Sequence, residues 1–264
     1  MAILGFLGTG NMGGALAKAA SKNEHNKIYL YNRTNSKAAV LAKQTGGEVI
    51  DNLELVEKSD YIFLGVKPQM LENLAKDISE SLKNRNTPFV IVSMIAGKSI
   101  SDVKGALGGN FPVIRILPNI PVAIGEGIIL YDCDETVTAA QKDIFLDAMK
   151  YAGLLSEIDE KLMDAACCIS GCGPAFAAMF IEALSDGAVA CGLPRDRAVE
   201  YSAQMLSGSA KYILDSKLHP GAFKDSVCSP GGTTIQGVRS LERGAFRSSV
   251  TEAVISAFDK TKSL

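Results

Sequence analysis

The chain has 264 residues, enough for one large or two modest domains, and its 47% hydrophobic and 21% charged residues are those of an ordinary globular protein. Lysine and arginine number 27 against 29 acids, a net charge of -2, with no basic tract of the kind that follows a nucleic-acid backbone. This balance points away from nucleic acid and toward a small-molecule partner, and the opening run Met1 to Phe6, which lacks a positive leader, gives the expectation of a cytoplasmic protein.

The first half alternates short β-rich runs with helical ones, the rhythm of a parallel sheet covered by helices. Strands are predicted over Ile3 to Leu7, Lys27 to Tyr31, Tyr61 to Val66, Phe89 to Ser93 and Val113 to Leu117. Helices are predicted between them, near Gly13 to Ser21, Ser36 to Gln44, Gln69 to Leu82 and Ile100 to Leu107. Two more strands, Gly127 to Tyr131 and Leu154 to Glu157, flank a helix from Ala139 to Tyr151. From Glu160 onward the β signal stops. Long helical patterns follow, one opened by Pro194 and two more over Thr234 to Leu241 and Phe246 to Phe258. The division is therefore an α/β domain over 1–159 and an all-α domain over 160–264.

The apolar run Ala165 to Ile181 is short for a membrane span, contains Gly171, Gly173 and Pro174, and is bounded by Asp164 and Glu182, so it is predicted to be a buried helix with no membrane role. The stretch from Pro174 to Cys191 is apolar on nearly every face and must be covered all round. A homodimer through the C-terminal half meets that need; a core helix within one subunit is the alternative. The six cysteines form no paired C-x-x-C pattern and read as small reduced core residues, with no metal site expected.

Gly8-Thr9-Gly10-Asn11-Met12-Gly13 is a G-x-G-x-x-G placed directly after a predicted strand and opening a predicted helix, the setting in which glycines admit a pyrophosphate to a helix N-terminus. The next strand ends in Asn32-Arg33-Thr34-Asn35-Ser36, where an NAD site usually offers a carboxylate. With Arg33 and hydroxyls in its place, NADPH is the expected cofactor, NADH remaining possible. The expected cofactor contacts are Leu7, Gly8, Thr9, Gly10, Asn11, Met12, Asn32, Arg33, Thr34 and Asn52, with Val66, Lys67 and Pro68 after one strand and Met94, Ile95 and Ala96 after the next. Asn119 either touches substrate or holds its Pro118 to Pro121 turn. Cys228 to Thr234 sets two glycines and two threonines ahead of a helical run, which makes either an ordinary cap or a carboxylate seat with a hydroxyl beside it.

Together these segments resemble the pyrroline-5-carboxylate reductase family over essentially the whole chain. The likeness rests on Gly8 to Gly13, Val66-Lys67-Pro68, Arg115 with Pro118-Asn119 and Pro121, Ser170 to Ala175, His219-Pro220-Gly221 and, most specifically, Ser229 to Thr234 followed by Leu241-Glu242 and Gly244 to Arg247. The resemblance implies a Rossmann-type parallel-sheet domain, an all-α C-terminal dimerisation domain, and reduction of a cyclic imine, L-1-pyrroline-5-carboxylate, to L-proline. It implies that Gly232 and Thr233 hold the substrate carboxylate by backbone N–H groups, with Val227 and Gly231 nearby. Thr234 would face the ring nitrogen as the catalytic hydroxyl. It also implies sites between the nucleotide domain of one subunit and the helical domain of another, in a dimer or a larger oligomer. Cys172 stands where the family often has serine, and His219 sits in a turn the family does not use chemically.

A β-hydroxyacid dehydrogenase is the competing enzyme class, but Pro174 to Met179 lacks the lysine such an enzyme needs one turn into this helix. A non-catalytic NADPH-binding protein would have no use for an anion seat beside hydroxyls.

Overall fold

The computed structural model describes residues 1–261. They form eight strands: β1 (Ala2–Leu7), β2 (Asn26–Tyr31), β3 (Glu48–Val49), β4 (Tyr61–Leu64), β5 (Val90–Ser93), β6 (Val113–Pro118), β7 (Gly127–Cys133) and β8 (Gly153–Glu157). Between them run α1 (Asn11–Ala20), α2 (Asn35–Thr45), α3 (Asn52–Lys58), α4 (Leu71–Asn84), α5 (Ile100–Leu107) and α6 (Ala139–Met149). The strands form one sheet in the order β3-β2-β1-β4-β5-β6-β7-β8, parallel throughout except where β7 returns antiparallel to β6. Every residue of β4 and β5 is buried, as central strands covered on both faces require. One apolar layer joins Leu4, Phe6, Leu16, Ala38 and Phe145 under α1, α2 and α6; the other joins Leu55, Ile78 and Val103 under α3, α4 and α5.

The chain progresses outward from β1 to β3, then crosses back to β4 on the other side of β1. That reversal opens a crevice at the carboxyl ends of β1 and β4, the place where doubly wound sheets take ligands.

All seven predicted strands form, each within a residue or two of the expected limits. Among the elements outside the prediction are β3 and α3. The two-residue β3 is too short to carry a periodic signal. The start of α3 does carry one: Asp51 accepts from the N–H groups of Leu53 and Glu54, the Asp-x-x-Glu signature of a helix start. Likewise the His219-Pro220-Gly221 segment begins a helix, α10 (Pro220–Val227), with proline in its first turn.

By packing, one compact unit takes in Met1–Gly171 and a second takes in Cys172–Lys260. The first unit thus runs past the expected limit at 159, because α7 (Glu160–Ser170) lies on the sheet, with Met163 buried against Leu117 and Leu130. The apolar run Ala165 to Ile181 is accordingly two helices broken by a turn at Gly171 and Cys172. The second unit comprises α8 (Gly173–Ala190), α9 (Arg195–Ser216), α10, α11 (Thr233–Arg243) and α12 (Phe246–Thr261). Contrary to the expectation of a buried helix, Ser185 is the one buried residue of α8, and Met179 is 68% exposed. A core helix within one subunit is therefore ruled out. Other helices of the unit cover part of it, Phe180 meeting the Phe246 ring and Ser185 bonding to Ser202, and the remaining apolar faces have no cover among the described residues.

Candidate active site

Each glycine of the first turn has a separate steric task. At Gly8, φ is +106° and a Cβ would stand 2.4 Å from the Gly65 carbonyl oxygen, so only glycine lets the end of β1 turn against the end of β4. A Cβ on Gly13 would stand 2.2 Å from the Gly8 carbonyl oxygen, whereas one on Gly10 meets nothing within 4 Å. Gly8 and Gly13 thus shape the turn, and Gly10 leaves open room for a phosphate to approach the backbone.

Side chains cap α3, α5, α6, α7 and α10: Asp51, Ser99, Thr138, Asp159 and His219. The uncapped α4 and α9 carry an acid in the first turn, Glu72 and Asp196. By contrast α1, α2, α8 and α11 have neither a side-chain cap nor an acid there; Pro174 removes a donor from the first turn of α8, whereas α1, α2 and α11 keep their N–H groups and positive dipole ends for an anion.

Two of these open starts flank one groove. Thr9, Gly10, Asn11, Lys18, Ser36 and Lys37 help line a cavity of about 730 Å³ between α1 and α2. Thr9 is buried, and its Oγ1 has no hydrogen-bond partner, an acceptor and donor left for a ligand. The Thr9 N–H donates to Asn32 Oδ1 (3.3 Å), and Asn32 Nδ2 donates to the Thr34 carbonyl (3.1 Å). Asn32 therefore braces the glycine turn against the next loop. Exposed Arg33 makes no ion pair among the described residues. Lys18 and Lys37 were missing from the expected set, although Lys37 lies in the first turn of α2, four residues after Arg33.

Pairing of β1 with β2 and β4, and of β4 with β5, brings Gly8 to Met12, Asn32 to Thr34, Val66 to Pro68 and Met94 to Ala96 to one edge of the sheet. Asn52 opens α3 after β3, the next strand beyond β2. Lys67 and Ala96 are exposed at this edge. Ile95 is 1% exposed with its side chain in the apolar layer, so only its backbone faces the edge. The residues present fit a phosphorylated dinucleotide: an orphaned buried hydroxyl, a glycine beside open space, two uncapped helix starts and three nearby cations.

In the second unit, α10 ends at half-exposed Val227 and the loop Cys228 to Gly232 leads into α11. Gly231 has φ +71°, and Gly232 is the residue ahead of the helix. The Gly232 N–H donates to the Ser229 carbonyl at 3.0 Å, and a Cβ on Gly232 would stand 2.3 Å from Ser229 Oγ. The Gly232 N–H is thus the one that closes the turn. The N–H groups of Thr233 and Thr234 have no partner among the described residues, and both side chains are exposed. His219 accepts from the Gly221 N–H at 3.1 Å, a cap that keeps its Nδ1 from chemistry.

Asn119 is buried, Oδ1 accepting from the Ile128 N–H (2.9 Å) and Nδ2 donating to the Ser170 carbonyl (3.0 Å). Of its two possible roles the geometry selects the holding one. The amide expected to touch substrate joins three elements of the sheet unit.

A doubly wound sheet with this glycine turn defines a dinucleotide-binding protein, here carrying a separate helical unit with its own uncapped helix start. The family described as pyrroline-5-carboxylate reductase dimerisation matches residues 160–264, and that described as NADP oxidoreductase, coenzyme F420-dependent, matches 3–97. The chain is 36% identical to the pyrroline-5-carboxylate reductase of Escherichia coli over 99% of its own length and 97% of that protein's. It is 38% identical to pyrroline-5-carboxylate reductase 2 of Bos taurus, over 99% and 83%. A crystal structure of Plasmodium falciparum pyrroline carboxylate reductase with NADP bound superposes with a TM-score of 0.88 at 32% identity, covering 99% and 97%. The chain belongs to the pyrroline-5-carboxylate reductase family.

Proposed function

We propose that this protein reduces L-1-pyrroline-5-carboxylate to L-proline with NADPH, as a cytoplasmic biosynthetic enzyme. The observation that carries the reading is the pair of uncapped, acid-free helix starts, α1 at the glycine turn and α11 behind the Ser229 to Gly232 loop, in a chain whose full length matches this family. NADPH, when bound, supplies the hydride that adds to the C=N carbon, and the ring nitrogen ends protonated. Thr9 Oγ1 and the first N–H groups of α1 hold its pyrophosphate; Arg33, Thr34 and Lys37 at the start of α2 hold the adenosine phosphate. The N–H groups of Thr233 and Thr234 hold the imine's carboxylate. Thr234 Oγ1 orients the ring nitrogen, since an aliphatic hydroxyl is too weak an acid to supply the proton near neutral pH. Catalysis then comes chiefly from holding the two reactants at reacting distance.

The reading includes a homodimer built on the helical unit, which covers α8. The test follows NADPH absorbance as pyrroline-5-carboxylate is added. Oxidation saturating with the imine is expected; none above background overturns the assignment.

A further inference from the structure

Alternate positions along β6 and the extended residue after it place Arg115, Leu117 and Asn119 on one face, and each meets α7. Arg115 is 4% exposed, with Nη1 on Glu160 Oε1 (3.1 Å) and Nη2 on Asp164 Oδ1 (3.2 Å). Glu160 Oε1 also accepts from the Ile100 N–H at the start of α5 (2.8 Å). Leu117 packs with Met163 in the apolar middle. Asn119 Nδ2 takes the Ser170 carbonyl at the helix's far end, one of the terminal carbonyls a helix leaves unpaired. Four strand steps span about 13 Å, and the helix from its Glu160 to Asp164 turn to Ser170 spans about 12 Å. Strand and helix therefore run side by side, polar ties at both ends and a hydrophobic contact between. The next residue after Ser170 is the last of the sheet unit.

We propose that Asn119 is a positioning residue for imine reduction: by holding the end of α7 against β6 it fixes the point at which the chain leaves the sheet unit, ahead of the segment that carries the substrate loop. This rests on the imine-reductase reading above. Most groove residues belong to α1, α2 and the loops before them; Ile120 and Ala123 of the turn after Asn119 also line it, and that turn keeps its own backbone bond from the Val122 N–H to the Asn119 carbonyl when the Asn119–Ser170 bond is lost.

Asn119→Asp isolates that bond. It keeps an oxygen for the Ile128 N–H and sets a second, carboxylate oxygen against the Ser170 carbonyl. At pH 8 its kcat/KM for the imine is expected to fall tenfold or more, with the NADPH Kd, read by fluorescence titration, within twofold of the wild type. As pH falls the carboxyl takes up a proton, its O–H again donates to Ser170, and the ratio of variant to wild-type kcat/KM is expected to climb. Wild-type kinetics at pH 8, an equal loss of NADPH affinity, or a deficit that stays constant down the pH range would each overturn the proposal. Should Asn119→Asp not purify as folded protein, Arg115→Lys at the other end of α7 is measured in its place. Lowered imine kcat/KM at unchanged NADPH Kd supports the proposal, and unchanged kinetics overturns it. If the wild type itself does not oxidise NADPH with the imine, the functional reading is what has failed. Hydrogen exchange at the Gly171 amide, which donates to Cys167, then judges the tie alone: faster exchange in Asn119→Asp supports it and equal exchange overturns it.

Discussion

Gly8 shows how much one absent methyl group can decide. Gly8→Ala combines a disallowed φ with a Cβ at 2.4 Å from a backbone oxygen that cannot move without displacing β4. We expect a stability loss of about 2–3 kcal/mol, read by urea titration, and loss of NADPH binding. At Arg33 the expectation is selective: Arg33→Ala raises the Kd for NADPH about tenfold or more and leaves that for NADH nearly unchanged, since only the former has a phosphate for the guanidinium to meet. Thr234→Ala should lower kcat while the NADPH Kd holds. Glycine roles of this kind are legible in a sequence because the spacing between the glycines is itself the local geometry. Asn119 and Gly232 are not legible in the same way. The partners that occupy Asn119 stand at Ile128 and Ser170, brought in by the folding of a strand and a helix, and the N–H of Gly232 is taken by a turn whose closure no residue type specifies.

The start of α11 is the element on which the proposed substrate binding turns. Thr233 is its first residue, where proline is tolerated, and Gly232 before it is extended (φ -73°, ψ 173°), as a residue preceding proline prefers. Thr233→Pro therefore removes one backbone donor and leaves the helix in place. Its KM for the imine should rise roughly tenfold, the loss of one hydrogen bond to a charged group being worth about 1.5–3 kcal/mol, with helical circular dichroism and NADPH affinity retained. An unchanged KM would show that the carboxylate lies elsewhere. Elements with a repeating pattern were legible along the chain, β1 to the long helices alike. What escaped was short or irregular: β3 has two residues, and α3 and α10 announce themselves by single capping residues and not by a repeat. The limit set by packing, at Gly171, differs from the expected one at 159 for a related reason. The helix α7 reads like its successors, and only its ties to Leu117, Arg115 and Asn119 assign it to the sheet.

For the whole molecule, the sequence pattern of α8 states that it needs cover on all sides, and the described residues provide it only in part. Met179→Glu places a charge on that surface. Light scattering should then show monomer where the wild type is dimeric, and a wild-type dimer population in the variant would exclude this face from the interface.

The exposure of α8 also bears on how the protein endures dilution. A chain that leaves so long an apolar helix partly uncovered draws part of its folding free energy from meeting a second copy, so its resistance to denaturant rises with its own concentration. Newly made chains, scarce at first, pass through a stage in which this surface faces water, and their exposure to proteases and to aggregation is greatest then. Abundance and durability are in this protein a single quantity, set by how soon one copy finds another.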